Sequence, residues 1–332
     1  MSTIREVAQR AKVSPATVSR VLNGSAHVSQ KVLQRVQKAI EETEYVPNEA
    51  ARTLFKRTSK TVGLIVPSIR NPFFTQFACV VDQVCNAYGY RMFLCNSDDD
   101  LQQERAALQK MIAASVDGVI LAATNQEIQK DLETFPLPVV VADAKLDTDK
   151  VNAYVFCDYY LGGRLAVQHL YEGCGCRNIV CIRGPQHIYT ARARYEGYRD
   201  YCREHGIVEQ SVDCDYDFRM GMEMTKALLE NYPEVDGILA CDDIVAISTY
   251  KVLHKRGISV PEQVQLIGFD DISFSSLISP ELTTIHQPIE EMARSAVELI
   301  IEQKNPDKRG ACVVFPVSLS ERQTTKCKEK TE

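Results

Sequence analysis

Short apolar runs alternate with longer stretches of helical periodicity between residues 61 and 270, and this alternation limits the possible folds more than any other feature of the chain. Thr61-Val62-Gly63-Leu64-Ile65-Val66-Pro67 is typical of the runs, because it has the length of one strand and no polar face. Similar runs lie at 91–96, 118–122, 138–142, 178–182, 237–240 and 264–269, and helical stretches lie at 74–88, 101–114, 161–172, 192–205, 221–231 and 244–256. The alternation predicts two α/β lobes built on parallel sheets, with the pattern repeating after residue 150.

The first 60 residues differ from this body in charge. They contain 11 Lys and Arg residues against 5 Asp and Glu residues, a net charge of +6. The whole chain carries −6, so residues 61–332 carry −12. A basic segment joined to an acidic body is expected for a nucleic-acid-binding module attached to another domain, because Lys and Arg attract phosphate.

Three short helices are predicted in the basic segment. The first begins after Thr3, which forms a capping-box pattern with Glu6. The second covers 15–22 and is capped by Ser14, and the third covers about 29–44. A turn of about three residues between the first two helices is typical of a helix-turn-helix, whose second helix enters the major groove of DNA.

The outer face of the second helix carries the candidates for contact with DNA. Val18 and Leu22 face inward at helical spacing and leave the other face to the solvent. Arg20 can form two parallel hydrogen bonds with guanine, while Thr17 and Ser19 suit phosphate or thymine methyl groups. The predicted DNA-binding residues of this segment are Ser14, Pro15, Ala16, Thr17, Ser19, Arg20 and Asn23.

Polar side chains follow several predicted strands of the body. Ligands of parallel α/β folds bind at the carboxyl ends of strands, and two lobes leave a cleft between them. Amide, carboxylate and guanidinium groups suit the neighbouring hydroxyl groups of a sugar, and aromatic rings suit the apolar face of its ring. The predicted effector-binding residues are Asn71, Phe73, Phe74, Asn125, Arg192, Arg194, Tyr216, Asp242, Asp270 and Gln287.

Other carboxylates and the cysteines are expected to be structural. We interpret Asp98-Asp99-Asp100, which precedes a predicted helix, as a solvated helix cap rather than a metal site. Of Asp270 and Asp271, one is expected to cap a helix and the other to contact the ligand. Most of the 12 cysteines lie in apolar runs, as small buried residues of a reducing cytoplasm would. Cys174-Gly175-Cys176 lacks the spacing and the second pair of a zinc site, so neither a metal nor a cofactor is expected.

Three other classes of protein fit the sequence less well. A secreted sugar-binding protein would begin with a signal peptide, and the first seven residues contain no apolar core for one. No apolar run approaches the ~20 residues that span a bilayer. The chain contains no Gly-x-Gly-x-x-Gly, no Walker loop and no Gly-x-Ser-x-Gly elbow, so we expect neither an enzyme nor catalytic residues.

Three motifs of the basic segment are specific: Ile4-Arg5-Glu6-Val7-Ala8, Val13-Ser14-Pro15-Ala16-Thr17-Val18-Ser19-Arg20-Val21-Leu22-Asn23 and Tyr45-Val46-Pro47-Asn48-Glu49-Ala50-Ala51-Arg52-Thr53-Leu54. They resemble the headpiece of the lactose-repressor-type (LacI) family of transcriptional regulators. The resemblance implies that Pro47–Leu54 is a hinge helix that orders on operator DNA and enters the minor groove beside its partner from a dimer. It also adds Asn48, Ala51 and Leu54 to the DNA-binding residues, with Leu54 as a wedge between base pairs.

One position departs from the family pattern. Lys12 stands where the family commonly has Gly, at the turn between the first two helices. Gly adopts a positive φ freely, whereas a Lys there costs roughly 1 kcal/mol. We therefore expect a strained or differently shaped turn.

The body resembles the periplasmic sugar-binding-protein fold that the family uses as its effector domain. The motifs most similar to ribose operon repressors of Gram-positive type lie at 68–74, 123–125, 183–187, 268–272, 284–288 and 315–322. This resemblance implies ribose as the effector and assigns sugar contacts to the predicted cleft residues other than Arg192. Many relatives carry Asn where Asp242 stands, and Asp cannot donate as Asn does. The alternatives are therefore another pentose, sucrose, a phosphosugar, a purine, or a phosphocarrier protein as corepressor.

The expected architecture is a small all-α helix-turn-helix headpiece at 1–46, a hinge helix and linker at 47–59, and an α/β effector-binding and dimerisation domain of two lobes at 60–332. The resemblance implies a homodimeric cytoplasmic repressor whose affinity for double-stranded operator DNA depends on a small sugar between the lobes. In similar regulators the effector either releases DNA or strengthens its binding, so both directions stay open, and ribose repressors usually release.

Overall fold

The computed structural model describes residues 2–22, 28–45, 58–302 and 310–327, and the chain separates into two compact units, Met1–Ser59 and Lys60–Glu332. The predicted DNA contacts at Asn23, Asn48, Ala51 and Leu54, together with most of the predicted hinge segment, lie outside the described residues. Within the described ranges, no helix combines the length and the apolar character needed to cross a membrane.

The first unit contains the three predicted helices, α1 (Ile4–Arg10), α2 (Pro15–Leu22) and α3 (Gln30–Thr43). The predicted capping box of α1 is confirmed: the Thr3 hydroxyl accepts the N–H of Glu6, and the Glu6 carboxylate accepts the N–H of Thr3. At the start of α2, the Ser14 hydroxyl accepts the N–H of Thr17 at 3.2 Å. The turn between the two helices holds Lys12 at a φ of +53°, the conformation expected to strain a lysine.

Small apolar side chains from all three helices form the core of this unit. The buried members are Val7, Ala8, Ala11, Val18, Val36 and Ala39, and Ile4, Val13, Val21, Leu22, Val32, Ile40 and Tyr45 pack around them. Val18 is fully buried, which confirms the inward face predicted for α2. The spacing of the apolar residues on α1 and α3 follows from the period of about 3.6 residues per helical turn.

The second unit is built on two six-stranded sheets. Its strands are β1 (Thr61–Val66), β2 (Arg91–Asn96), β3 (Gly118–Leu121), β4 (Val139–Ala142), β5 (Ala153–Cys157), β6 (Ile179–Arg183), β7 (Ser211–Asp213), β8 (Gly237–Ala240), β9 (Gln265–Asp270), β10 (Thr283–His286), β11 (Ala311–Phe315) and β12 (Ser318–Ser320). Its α-helices are α4 (Pro72–Ala87), α5 (Leu101–Ala113), α6 (Gln129–Leu132), α7 (Tyr159–Gln168), α8 (Tyr189–Glu204), α9 (Phe218–Asn231), α10 (Asp243–Lys255) and α11 (Ile289–Glu302). Single turns of other helix types lie at Gln126–Ile128, His169–Gly173 and Ser273–Ser276.

The predicted parallel sheets are confirmed in the strands that the sequence identified. The first sheet has the order β11-β5-β4-β3-β1-β2, and the second has the order β12-β10-β9-β8-β6-β7. The central strands are buried on both faces, as their continuous apolar runs require. One pair departs from the expectation, because the edge strand β12 runs antiparallel to β10.

The two lobes are not successive halves of the chain, as a repeat after residue 150 would suggest. Strand β5 follows residue 150 but belongs to the first sheet, and β11 joins β5 there from the C-terminal end of the chain. Helix α11 also packs on the first sheet and against α4. The chain therefore crosses between the lobes after β5, β10 and β11, so each lobe contains segments that lie far apart in sequence.

Candidate functional site

A cavity of about 660 Å³, including its open mouth, lies between the two lobes of the second unit. Its walls come from the carboxyl ends of strands in both sheets, such as Ser68 after β1, Asp143 after β4 and Asp242 after β8. Small molecules bind to α/β folds at this edge, in the crevice outside the carboxyl ends of the strands.

Seven of the ten predicted effector-binding residues line this cavity: Asn71, Phe73, Phe74, Arg194, Tyr216, Asp242 and Asp270. Gln287 lies behind the lining, where its Nε2 donates to Asp270 Oδ1 at 2.6 Å. The structure does not bring Asn125 and Arg192 to the cavity. Asn125 caps the turn that begins at Gln126, and Arg192 is exposed to solvent.

Arg194 and Asp270 form the most enclosed ion pair at the site. Arg194 Nη2 donates to Asp270 Oδ1 at 3.0 Å, and Arg194 Nη1 donates to the carbonyl of Cys241 at 2.7 Å. The guanidinium also stacks on Phe269, with 3.9 Å between its carbon and the ring centroid. Burial raises the pKa of Asp270, while Arg194 and Gln287 act to lower it. These contacts fix the orientation of both charged groups at the cavity wall.

Helix α8 positions Arg194 through close packing against α7. The helix begins at Tyr189, three residues earlier than the sequence predicts, so Arg192 and Arg194 lie further inside it than the predicted range of 192–205 implies. A Cβ at Gly163 would lie 2.0 Å from the Arg194 carbonyl oxygen, and one at Gly197 would lie 2.1 Å from that of Tyr160. Glycine at both positions therefore allows the two backbones to approach.

Asp242 combines a structural contact with an unsatisfied oxygen. Its Oδ1 accepts the N–H of Val245 at 2.7 Å and so caps α10. Its Oδ2 is buried and has no hydrogen-bond partner in the structure. Burial, together with the nearby charge of Asp270, raises the pKa of Asp242 to about 7. Buried oxygens of this kind need an explanation, and a ligand in the cavity would supply one.

Asp143 is a cavity residue that the sequence analysis missed. It directly follows β4, so the rule that singled out polar residues after strands would have included it. The Tyr159 hydroxyl donates to Asp143 Oδ1 at 2.5 Å. Burial raises the pKa of Asp143 to about 7, although Arg194 and Tyr159 act to lower it. Ser68, Thr124 and Thr190 also line the cavity without having been predicted.

The raised pKa of Asp143 predicts a pH dependence of stability. The folded protein retains the proton on Asp143 at pH values where the unfolded chain has already lost it. The contribution of this carboxyl group to folding stability is therefore fully present below its pKa in the unfolded chain, and it disappears as the pH rises through about 7. Asp143→Asn stays neutral, and Asn tolerates the φ of +52°. We expect this variant to gain stability over the wild type on going from pH 5 to pH 8, by on the order of 2 kcal/mol. Thermal unfolding of the two sugar-free proteins at both pH values measures this gain. A stability difference between variant and wild type that is the same at pH 5 and pH 8 would contradict the prediction.

Two aromatic rings enter the cavity wall from the first turn of α4. Asn71 caps this helix by accepting the N–H of Phe73 at 3.0 Å, and Pro72 occupies the first helical position. The rings of Phe73 and Phe74 pack edge to face, with 5.1 Å between their centroids. The helix cap therefore holds an amide and an apolar surface beside each other.

Two of the structural interpretations of carboxylates need correction. Asp100 caps α5 and Asp99 is exposed, as expected, but Asp99 also lines the cavity, where desolvation, reinforced by Asp98, raises its pKa. Neither Asp270 nor Asp271 caps a helix. Asp271 instead accepts hydrogen bonds from Arg322 at 2.6 Å and from Ser320 at 2.9 Å, which ties the end of β9 to the C-terminal segment.

Unpaired polar atoms concentrate around the cavity. Four of the seven side-chain atoms that are buried without a hydrogen-bond partner in the described part of the chain lie at the cavity or just behind it: Arg194 Nε, Tyr216 Oη, Asp242 Oδ2 and Gln287 Oε1. The other three belong to Glu104, Gln129 and Gln210. The cavity set contains a guanidinium donor, a hydroxyl and two acceptor oxygens. A ligand with several hydroxyl groups can satisfy such a mixture, because each hydroxyl both donates and accepts.

The predicted DNA-contact residues of α2 share one face of the first unit. Ser14, Pro15, Ala16 and Arg20 are exposed, whereas Thr17 and Ser19 are partly buried. Their positions are those of a recognition helix whose N-terminal half is accessible. Ser14 Oγ lies 3.0 Å from Thr17 Oγ1, so these two hydroxyls are held together at the start of the helix.

Two family models match the chain. The model described as bacterial regulatory proteins, lacI family, matches residues 3–48, and that of the periplasmic binding protein-like domain matches residues 167–325. A relative named ribose operon repressor, from Halalkalibacterium halodurans, is 39% identical over 100% of this chain and 99% of its own length.

Solved structures agree with this assignment. A lac repressor dimer bound to operator and an anti-inducer is 25% identical, with a TM-score of 0.87 over 98% of this chain and 99% of its own. A regulator from Alkaliphilus metalliredigens complexed with D-xylulofuranose is 36% identical (TM-score 0.72, covering 80% of this chain and 99% of that one). A LacI family regulator from Enterococcus faecium with bound ribose is 28% identical (TM-score 0.72, covering 80% and 98%).

The headpiece, the two-lobed body and the full-length relative agree on one assignment. The predicted fold and the predicted family are both confirmed. None of the relatives named above is described as an enzyme. The chain belongs to the LacI family of bacterial regulatory proteins and is a sugar-responsive DNA-binding repressor.

Proposed function

We propose that this chain represses a ribose operon, that ribose binds in the cavity between the lobes, and that ribose binding releases the operator. The observation that carries the proposal is the set of unpaired buried polar atoms on Arg194, Tyr216 and Asp242. Together with Asp270 they offer donors and acceptors on one side of the cavity, while Phe73 and Phe74 offer an apolar surface. Hydroxyl groups and the C–H face of a furanose or pyranose ring have the complementary chemistry.

The charge of the cavity favours a neutral sugar over a phosphorylated one. Four carboxyl groups line it, those of Asp99, Asp143, Asp242 and Asp270, and Arg194 is the one cationic side chain among the described lining residues. Arg194 is already paired with Asp270. A phosphate group would lose its hydration and face the remaining carboxyls, so it is disfavoured both by desolvation and by repulsion.

Operator recognition is proposed for the exposed face of α2, with Arg20 at a base edge and Ser14 and Thr17 near phosphate. Two chains are proposed to act together, because a palindromic operator matches a two-fold symmetric protein. The edge strand β2 supports pairing through the body, since Phe93 and Leu94 are exposed there at 37% and 38%.

Ribose is proposed to act by stabilising one angle between the lobes. The cavity walls belong to both lobes, so a ligand that contacts both has different affinities for their closed and open arrangements. The three chain crossings after β5, β10 and β11 allow such a change without breaking either sheet. Reciprocal coupling then requires that operator DNA weakens ribose binding by the same factor.

Calorimetric titration of the full chain with ribose, ribose 5-phosphate and sucrose tests the effector. We expect saturable heat with ribose and none with ribose 5-phosphate, because of the carboxyl groups at the cavity. D-Xylulose is the control, since a relative at 36% identity binds its furanose form. Binding of ribose 5-phosphate or sucrose in place of ribose would contradict the proposed effector, and silence with every sugar would point to a protein corepressor.

A further inference from the structure

Three side chains of metal-ligating type meet at the end of α7, outside the cavity lining. The ligand atoms of His169, Cys174 and Cys327 all lie within 4.8 Å of one another. In the described parts of the chain this is the one group of three or more such side chains. Neither the recognition of DNA nor the binding of sugar uses these residues.

The backbone brings His169 and Cys174 together by widening the last turn of the helix. Residues His169–Gly173 form a π-helical turn, in which the N–H of Cys174 donates to the carbonyl of His169 at 2.8 Å. In an α-helix, side chains five residues apart point in different directions, and the wider turn reduces that difference. Single π-turns within α-helices are frequent at functional sites.

Gly173 leaves a space that two of the ligand atoms border. A Cβ built at this glycine would lie 3.3 Å from His169 Nδ1 and 3.4 Å from Cys327 Sγ. His169 Nδ1 and Cys327 Sγ, which belong to different elements, therefore both lie beside the Cα of Gly173. A side chain at position 173 would occupy this space, and a metal ion is small enough to fit beside a glycine.

The surroundings of His169 resemble the outer shell of a metal site. Its Nε2 lies 2.9 Å from Thr325 Oγ1, which is itself 2.8 Å from Thr283 Oγ1. With Nε2 as the donor to Thr325, Nδ1 carries the lone pair over Gly173. Metal-binding histidines are usually held in this way by a hydrogen bond at the second ring nitrogen.

We propose that His169, Cys174 and Cys327 bind a zinc ion, with Glu321 as the fourth ligand. Cys327 Sγ donates to Glu321 Oε1 at 3.2 Å, so this carboxylate already lies beside the group. Zinc bonds of ~2.3 Å to sulfur and ~2.0 Å to nitrogen place tetrahedral ligands ~3.5–4 Å apart. The ligand atoms of His169, Cys174 and Cys327, which lie within 4.8 Å of one another, therefore need to close by about 1 Å, and the Glu321 carboxylate needs to turn toward them.

The site revises the expectation of no metal, which rested on Cys174-Gly175-Cys176. Cys176 is not part of the group, because its Sγ donates to the carbonyl of Asp236 at 3.5 Å. The partner of Cys174 is instead Cys327, which follows β12 near the C-terminal end of the described chain. The zinc ion would join this C-terminal segment to the end of α7, so its removal should lower the thermal unfolding midpoint.

The test uses the full chain, reduced and freed of metal with a chelator, and Co²⁺ as the spectroscopic probe. We expect one equivalent of Co²⁺ per chain to give the intense absorption of a tetrahedral thiolate site, and Zn²⁺ to displace it. Cys327→Ser should weaken Co²⁺ binding at least about 100-fold, and Thr325→Val, which alters only the outer shell, about 10–100-fold. Cys312→Ser, at another exposed cysteine, should leave Co²⁺ binding unchanged.

Several results would overturn the site. Absence of saturable Co²⁺ binding while thiol counting shows reduced cysteines would do so, and so would a weak octahedral spectrum without thiolate bands. Unchanged Co²⁺ binding by the Cys327→Ser variant would show that the ion binds at another site. A Cys174–Cys327 disulfide in mass spectra, with no ion bound after reduction, would replace the metal site by a redox pair. Unchanged sugar binding by each variant shows that it has folded.

Discussion

Replacing Asp270 with alanine is expected to abolish the response to sugar while the protein still binds its operator. Asp270 Oδ1 accepts hydrogen bonds from Arg194 and from Gln287, at 3.0 and 2.6 Å, and the residue is 4% exposed. Removing it leaves the Arg194 guanidinium buried without its counter-charge and removes a sugar acceptor. Truncating one member of such a pair costs about 2–5 kcal/mol, so we expect ribose affinity to fall at least about 30-fold.

The measurement combines calorimetry with fluorescence anisotropy of an operator duplex, selected from a random pool by the wild-type protein. Ribose should lower the operator affinity of the wild type and leave that of Asp270→Ala unchanged. Asp270→Asn, which keeps the shape, provides a second variant if the alanine protein unfolds. The matched control is Asp213→Ala, because Asp213 also ends a strand of the same sheet and pairs with an arginine, but is itself exposed. A normal ribose response in both Asp270 variants would remove this residue from the site.

Replacing Arg20 with alanine is expected to have the opposite effect: the protein loses operator affinity and binds sugar normally. Arg20 is exposed on α2, and its guanidinium suits a guanine edge in the major groove. A bidentate base contact is worth about 1–3 kcal/mol, so we expect a loss of about 5–150-fold for each half-site. Selectivity should relax at one base pair per half-site, because the other contacts of α2 remain.

Anisotropy titrations against the selected operator and against single-base variants of it measure both effects. Lys38→Ala is the control, since it removes one exposed positive charge from the same unit but lies on α3, close to Glu42. That change should lower affinity slightly and equally for all sequences. Equal losses of operator affinity in Arg20→Ala and Lys38→Ala would show that Arg20 makes only a non-specific phosphate contact. Loss of ribose binding in Arg20→Ala would contradict the separation of the two functions.

Local chemistry made the first unit predictable. A capping box at Thr3, a Ser14-Pro15 start and apolar residues at helical spacing each act within one or two turns, so the sequence contains the information directly. The body strands β1 to β4 were equally predictable from their apolar runs. Strands β5, β7, β11 and β12 and helix α11 were missed, because short strands at sheet edges or after irregular segments have no distinctive pattern.

The sequence predicted cavity residues correctly where the position at a strand end decides the location of a side chain. The prediction was wrong where tertiary packing decides it. Asn71, Asp242 and Asp270 follow strands, and they line the cavity. Asn125 also follows a strand, but its side chain caps the next turn. Arg192 and Arg194 are only two residues apart on α8, so they point in different directions. The packing of α8 against α7 decides that Arg194 is buried and Arg192 is exposed.

The sequence by itself determined the family, the helix-turn-helix, the parallel α/β class and the position of a polar cavity at strand ends, because periodicity, caps and motifs are properties of neighbouring residues. Only the tertiary structure decided which strand joins which lobe, which buried oxygens lack partners and that His169 and Cys174 meet Cys327 from more than 150 positions away. These features depend on contacts between distant segments, whose pairing is set by packing of the whole body rather than by any local preference.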